Sequence, residues 1–190
     1  MQSMVSLWSG IGLLAVLVLL IILVLKVRKR RRDSGVKGAL KTISVDSMKD
    51  VLVPDGMGGH IHVEHLLLTG RGLLVINVKP YHGIVFASDR MDDWTVMHDG
   101  NRQTFGNAIG PLLDRGAAVK QIVKDINVQG YLLFPEGADF SKGQPKTVIL
   151  PEALVSEFSR SADQDRERVM SAFQPYWEKL RAAVEPAQAA

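Results

Sequence analysis

Glu64, Asn77 and Lys79 are the residues of this chain whose types and spacing suit them to do chemistry together. They sit in IHVEHLLLT and LLVINVKP, two apolar runs separated by Gly70, Arg71 and Gly72, a pattern that predicts an antiparallel hairpin. Side chains alternate along a strand, so His62, Glu64 and Leu66 share one face of the first run. Leu73, Val75, Asn77 and Lys79 share one face of the second. A three-residue turn needs a one-residue bulge near Gly72 to bring Glu64 towards Asn77 and Lys79. A carboxylate, an amide and an amine then converge. Carboxylate and amide oxygens are ligands for a hard cation such as Mg²⁺, and a lysine steadies an anionic nucleophile or a developing negative charge. The competing arrangement is mutual hydrogen bonding, because burying such groups unpaired is costly.

Other chemistry has weaker support. His60 and His62 have strand spacing for two metal ligands, with His65 and His82 nearby, although histidines at such positions more often serve as surface or hydrogen-bonding groups. The turn PDGMGG lacks a following Gly-Lys-Ser/Thr and precedes a strand, so it is not a phosphate-binding loop. Tyr81, Phe86, Trp94 and Phe105 have the rings to stack bases, but strand aromatics usually fill cores. The chain has no cysteine, which excludes disulfides, thiolate chemistry and cysteine-based zinc sites.

The elements that must position these residues are closely spaced strands followed by a helix. Strands are expected at Val51 to Val53, His60 to Thr69, Leu73 to Pro80, Gly83 to Ser88 and Trp94 to Met97, joined by short turns that imply antiparallel pairing. A helix is expected from Ala108 to Ile126, where Ile109, Leu112, Leu113, Ala117, Val119, Ile122 and Val123 recur at helical spacing and Gly116 weakens the pattern. Two more strands follow, Val128 to Phe134 and Thr147 to Leu150. Because a parallel pairing needs a crossover, the strand, helix, strand order predicts an α/β domain with a mixed sheet flanked by helices. A last helix from Asp163 to Val184 carries Val169, Phe173, Trp177, Leu180 and Val184 on one face for core packing, and Pro175 should kink or split it.

The N-terminus has a different character. The first 25 residues contain no charged side chain, and from about Val5 to Leu25 they are apolar enough and long enough to cross a bilayer as one helix. No basic residue precedes this core, so a cleaved signal peptide is the poorer reading. Residues 26 to 32, KVRKRRR, then place six basic side chains in seven positions. That asymmetry predicts a single-pass membrane protein with its N-terminus outside and its C-terminal body in the cytoplasm, as at a bacterial inner membrane, with residues 5 to 32 contacting lipid. The expected organisation is a transmembrane anchor at 1–25, a basic juxtamembrane linker at 26–34, an α/β domain at 35–150 and a C-terminal helical segment with a fraying tail at 151–190. Without its six juxtamembrane basic residues the chain has 17 Lys plus Arg against 20 Asp plus Glu, so the body is net acidic by about three charges. Such a surface argues against extensive contact with nucleic acid.

The stretch from VLVPDG through IHVEHLLLTGRGLLVINVKPYHGIVFAS to Trp94 resembles the nuclease-related domain (NERD) family, a branch of the PD-(D/E)xK, restriction-endonuclease-like fold. The resemblance spans roughly Gly35 to Leu150. It implies Glu64 at the first metal-binding carboxylate, usually an aspartate, and Lys79 at the signature lysine. Asn77 occupies the place of the second carboxylate. Ala39, in Gly35-Val36-Lys37-Gly38-Ala39, stands for the glutamate of Gly-x-x-Gly-Glu, and Asp114 for the glutamine of Pro-x-x-Gln. In such nucleases two carboxylates hold Mg²⁺, which polarises the phosphate and acidifies the attacking water. The resemblance therefore implies a degenerate site of Glu64, Asn77 and Lys79, with Asp114 as a further candidate and Glu64 and Asn77 as weak metal ligands. The expected function is a binding module for nucleic acid or protein. Its alternative is an active Mg²⁺-dependent nuclease on DNA or RNA phosphodiesters.

Overall fold

The computed structural model describes residues 35–158 and 166–187 of the chain. A helix, α1, occupies residues 35–43 of the described part. It leads into β1 (Ser44–Pro54), β2 (His60–Thr69), β3 (Gly72–Val78), β4 (Gly83–Phe86), β5 (Asp93–His98) and β6 (Asn101–Gly106). Then follow α2 (Ile109–Val123), β7 (Val128–Leu133), β8 (Ala138–Asp139), β9 (Val148–Ile149), α3 (Pro151–Phe158), α4 (Arg166–Ala183) and β10 (Glu185–Pro186). Among the described residues no helix is long and apolar enough to cross a membrane. The expected span at 5–25, the basic linker and the last residues of the tail lie outside them.

The strands form two sheets, where one was expected. The larger runs β10-β1-β2-β3-β7-β9 and is mixed, with β1, β2 and β3 antiparallel and β3, β7 and β9 parallel. The smaller runs β6-β5-β4-β8. α2 is the crossover between its two parallel neighbours β3 and β7, as the strand, helix, strand order requires.

β3 can be almost continuously apolar because helices cover both faces of the larger sheet. On one face Leu66, Leu68, Leu73 and Val75 pack with Leu112, Val119 and Val123 of α2 and with Trp177 and Leu180 of α4. On the other, Leu67, Leu74 and Ile76 pack with Ala39, Leu40 and Ile43 of α1 and with Leu154 and Phe158 of α3. Each large aliphatic side chain so buried contributes about 1.5–3 kcal/mol of transfer free energy. Val85, Trp94 and Val96 of the smaller sheet join the first of these cores.

Two expectations are corrected. The β2–β3 turn is not three residues long: Gly72 already pairs with Thr69, so only Gly70 and Arg71 form the loop. Gly72 holds φ +117, and a Cβ there would lie 2.6 Å from the Asn127 carbonyl oxygen, so the strand can start this early only with glycine. Nor does Pro175 split the last helix; α4 runs through it. Beyond the proline, Trp177 and Leu180 are buried, and Asp46 Oδ2 accepts from Trp177 Nε1 at 2.9 Å and Arg181 Nη2 at 2.6 Å. These contacts offset the one missing backbone donor. Beyond α4, β10 pairs with β1 at Val51 and Leu52.

Candidate functional site

The site lies where the larger sheet forks. Pairing of β2 with β3 runs from Thr69–Gly72 to His65–Ile76 and stops. β2 nevertheless continues along β1 to His60, and β3 continues along β7 to Val78. At the next position on the same register Glu64 stands opposite Asn77, without the expected bulge, because the turn is one residue shorter. Beyond the fork the Lys79 N–H donates to the Leu133 carbonyl of β7 at 2.9 Å, so the Val78 N–H, by strand alternation, points to the side β2 has left. Glu64 fills that gap. Its Oε2 accepts the Val78 N–H at 2.8 Å and the Asn77 Nδ2 amide at 2.8 Å.

This arrangement defines what Asn77 does. A second carboxylate facing Glu64 would repel it and call for a cation between them. An amide instead turns its N–H₂ to the carboxylate, so a neutral donor stabilises Glu64. One oxygen of Glu64 is committed to two N–H donors, and the other lies 3.8 Å from His65 Nε2. Among the described residues no group of three or more histidines and acids gathers that could hold a metal ion. A divalent ion favours several oxygens with net negative charge, and one carboxylate already bonded to two donors does not supply them. The donor set does not fit Mg²⁺.

Lys79 is partly buried beside the fork and makes no ion pair among the described residues. Burial, and next the positive charge of Arg115, push its ammonium below the ordinary lysine value, while Glu64 pulls it back. Arg115 is a member of the site that the motif comparison passed over. Its Nε donates to the His62 carbonyl at 2.7 Å and its Nη1 to the Pro111 carbonyl at 2.8 Å, tying α2 to the departing arm of β2. Nη2 has no partner among the described residues. The signal for it was present: Arg115 interrupts the apolar stripe of Leu112, Val119 and Ile122 on α2.

The remaining candidates fall elsewhere. Asp114 is exposed on α2 and makes no hydrogen bond or ion pair with Glu64, Asn77 or Lys79. Ala39 is buried in the core under α1, on the sheet face opposite α2. The histidines disperse: His62 Nε2 lies 3.3 Å from Asp50, and His82 Nδ1 lies 3.3 Å from the Glu136 carbonyl.

His65 flanks the fork with its side chain only 16 % exposed. Burial lowers its pKa from the ordinary 6.5 and outweighs the opposing pull of Glu64. The folded protein thus binds fewer protons than the unfolded chain in the window just below 6.5, and stability must fall as pH drops through it. The urea midpoint should decline as pH drops below about 6.5, with a shallower decline in His65→Gln. An unchanged slope in that variant would remove His65 from the account.

Comparison with known proteins adds one positive result. A family model described as "NERD: Nuclease-related domain" matches residues 36–135, from α1 to the end of β7, a stretch that includes Glu64, Asn77, Lys79 and Arg115. No curated protein and no solved structure matches the chain.

Proposed function

The chain belongs to the nuclease-related domain family, and from that premise we propose that it is a non-hydrolytic member, a membrane-anchored cytoplasmic module that holds nucleic acid through its phosphates without a metal. One observation carries this reading: the Glu64 carboxylate at the fork is taken up by hydrogen bonds from Asn77 and Val78, and among the described residues neither Lys79 nor Arg115 forms an ion pair. Two unpaired cations near each other repel, and an anion between them relieves that repulsion. Phosphate oxygens are the natural counter-ion for a lysine point charge and a guanidinium fork. The net acidic body keeps the contact local and the affinity modest.

The anchor forms the other half of the proposal. Its support is the charge-free stretch of 25 residues followed by six basic side chains in seven. Such an arrangement holds the module within reach of the cytoplasmic membrane face.

Full-length protein in phosphatidylcholine nanodiscs tests the site. With labelled single- and double-stranded DNA and RNA, no strand scission is expected in Mg²⁺ or Mn²⁺, and binding is expected to be unchanged by a chelator. The basic linker also attracts nucleic acid, so the informative quantity is a difference. Lys79→Gln with Arg115→Gln should reduce the log–log salt slope by about 1.4, the value for two single-strand phosphate contacts. Metal-dependent cutting that is lost in both Glu64→Ala and Lys79→Ala would overturn the proposal in favour of an active nuclease.

A further inference from the structure

The aromatic side chains of the first core form a chain of ring contacts that ends at Tyr81, two residues beyond Lys79. Phe134 and Trp94 are fully buried and stack with centroids 6.5 Å apart. Trp94 meets Phe105 edge-on at 6.0 Å. Phe105 in turn stacks on Tyr81 at 4.1 Å with the two rings 12° from parallel. Phe105 and Tyr81 are both only partly buried, and Tyr81 is the last ring of the series. Pro80 and the 2.8 Å bond from the Tyr81 N–H to the Lys79 carbonyl close a tight turn, so ring and ammonium leave the backbone two residues apart at the end of β3.

A ring fixed from behind by another ring loses little entropy when a third plane is laid on it. A nucleotide presents such a plane one sugar away from its phosphate. We propose that Tyr81 is a base-stacking platform beside the Lys79 and Arg115 phosphate contacts, so that the ligand of this site is a single-stranded nucleic acid with an unpaired base. This rests on the phosphate-binding reading above and narrows it. Duplexes would reach the cations but not the ring, since their bases are already stacked. Selection is for single strands over duplexes and is tolerant of sequence, because every base has a π-face.

The test compares three probes on the full-length protein in phosphatidylcholine nanodiscs: a labelled oligothymidylate, an abasic strand of equal length and charge, and a duplex. Wild type should prefer the oligothymidylate to the abasic strand by about tenfold or more, a factor typical of one stacked base. Tyr81→Leu, which keeps apolar bulk against Phe105, should erase that preference and leave abasic and duplex binding unchanged. Tyr81→Trp should retain it, and thermal midpoints of both variants should confirm that they fold. Equal binding of abasic and thymidylate strands, with a salt slope still dependent on Lys79 and Arg115, would overturn the platform and leave the phosphate site standing. Binding of every probe that is insensitive to Lys79→Gln and Arg115→Gln would overturn both.

Discussion

Asn77→Asp should cost the folded protein about 2–4 kcal/mol at neutral pH without divalent cations, because it exchanges a charge-assisted hydrogen bond for a contact between two carboxylates. The Glu64 side chain is 26 % exposed, which keeps the penalty below that of a fully buried pair. One of the two carboxyl groups would then hold a folded-state pKa above its unfolded value. The lost stability should accordingly return as pH falls through that raised pKa, opposite in sign to the usual acid destabilisation. A divalent cation should restore stability too, since two facing carboxylates are the donor pair the native site lacks. Urea denaturation with Mn²⁺ and with a chelator at two pH values measures all three effects. A variant as stable as the parent under every condition would mean that Glu64 and Asn77 do not face each other.

Gly72→Ala is the second large effect, with an expected loss of about 2–5 kcal/mol from left-handed backbone strain combined with overpacking. At φ +117 the added methyl group would lie 2.6 Å from the Asn127 carbonyl oxygen, which is main chain and starts the approach to β7. The same carbonyl accepts the Leu73 N–H at 3.0 Å, so relief by movement would break a hydrogen bond at the head of β3. Register should suffer along with stability. If β3 starts one residue later, the pairing slips and Glu64 no longer stands opposite Asn77. Denaturant midpoint and phosphate-probe affinity should therefore fall together in this variant, whereas a surface change such as Gly106→Ala, where added bulk meets nothing within 4 Å, should leave affinity intact.

Much of this architecture was legible in the chain. β2 coincides with the expected run from His60 to Thr69, because apolar alternation and flanking glycines mark both ends. The helix over residues 108–126 is α2, shortened by a few residues at its ends. The register was not legible, because Gly70-Arg71-Gly72 looks like a three-residue loop until Asn127, more than 50 residues away, is known to press on Gly72. β6 escaped notice because Asn101 to Gly106 is a polar edge strand, specified by its pairing with β5 rather than by its own pattern. At the site, alternation brought Glu64 and Asn77 to one place only with an assumed bulge that the shorter turn makes unnecessary, and the roles of Val78 and Arg115 are invisible in a motif. The first acts through its backbone, and the second belongs to a helix that only the crossover brings over β2.

In the proposed module Glu64 is satisfied at the fork by the Asn77 amide rather than by a metal ion. Calorimetric titration of Mn²⁺ into the full-length protein in phosphatidylcholine nanodiscs tests it most directly. The account predicts no saturable heat from the native chain that Glu64→Ala removes, and a one-to-one binding isotherm in Asn77→Asp. A stoichiometric Mn²⁺ site in the native chain that vanishes in Glu64→Ala would contradict it.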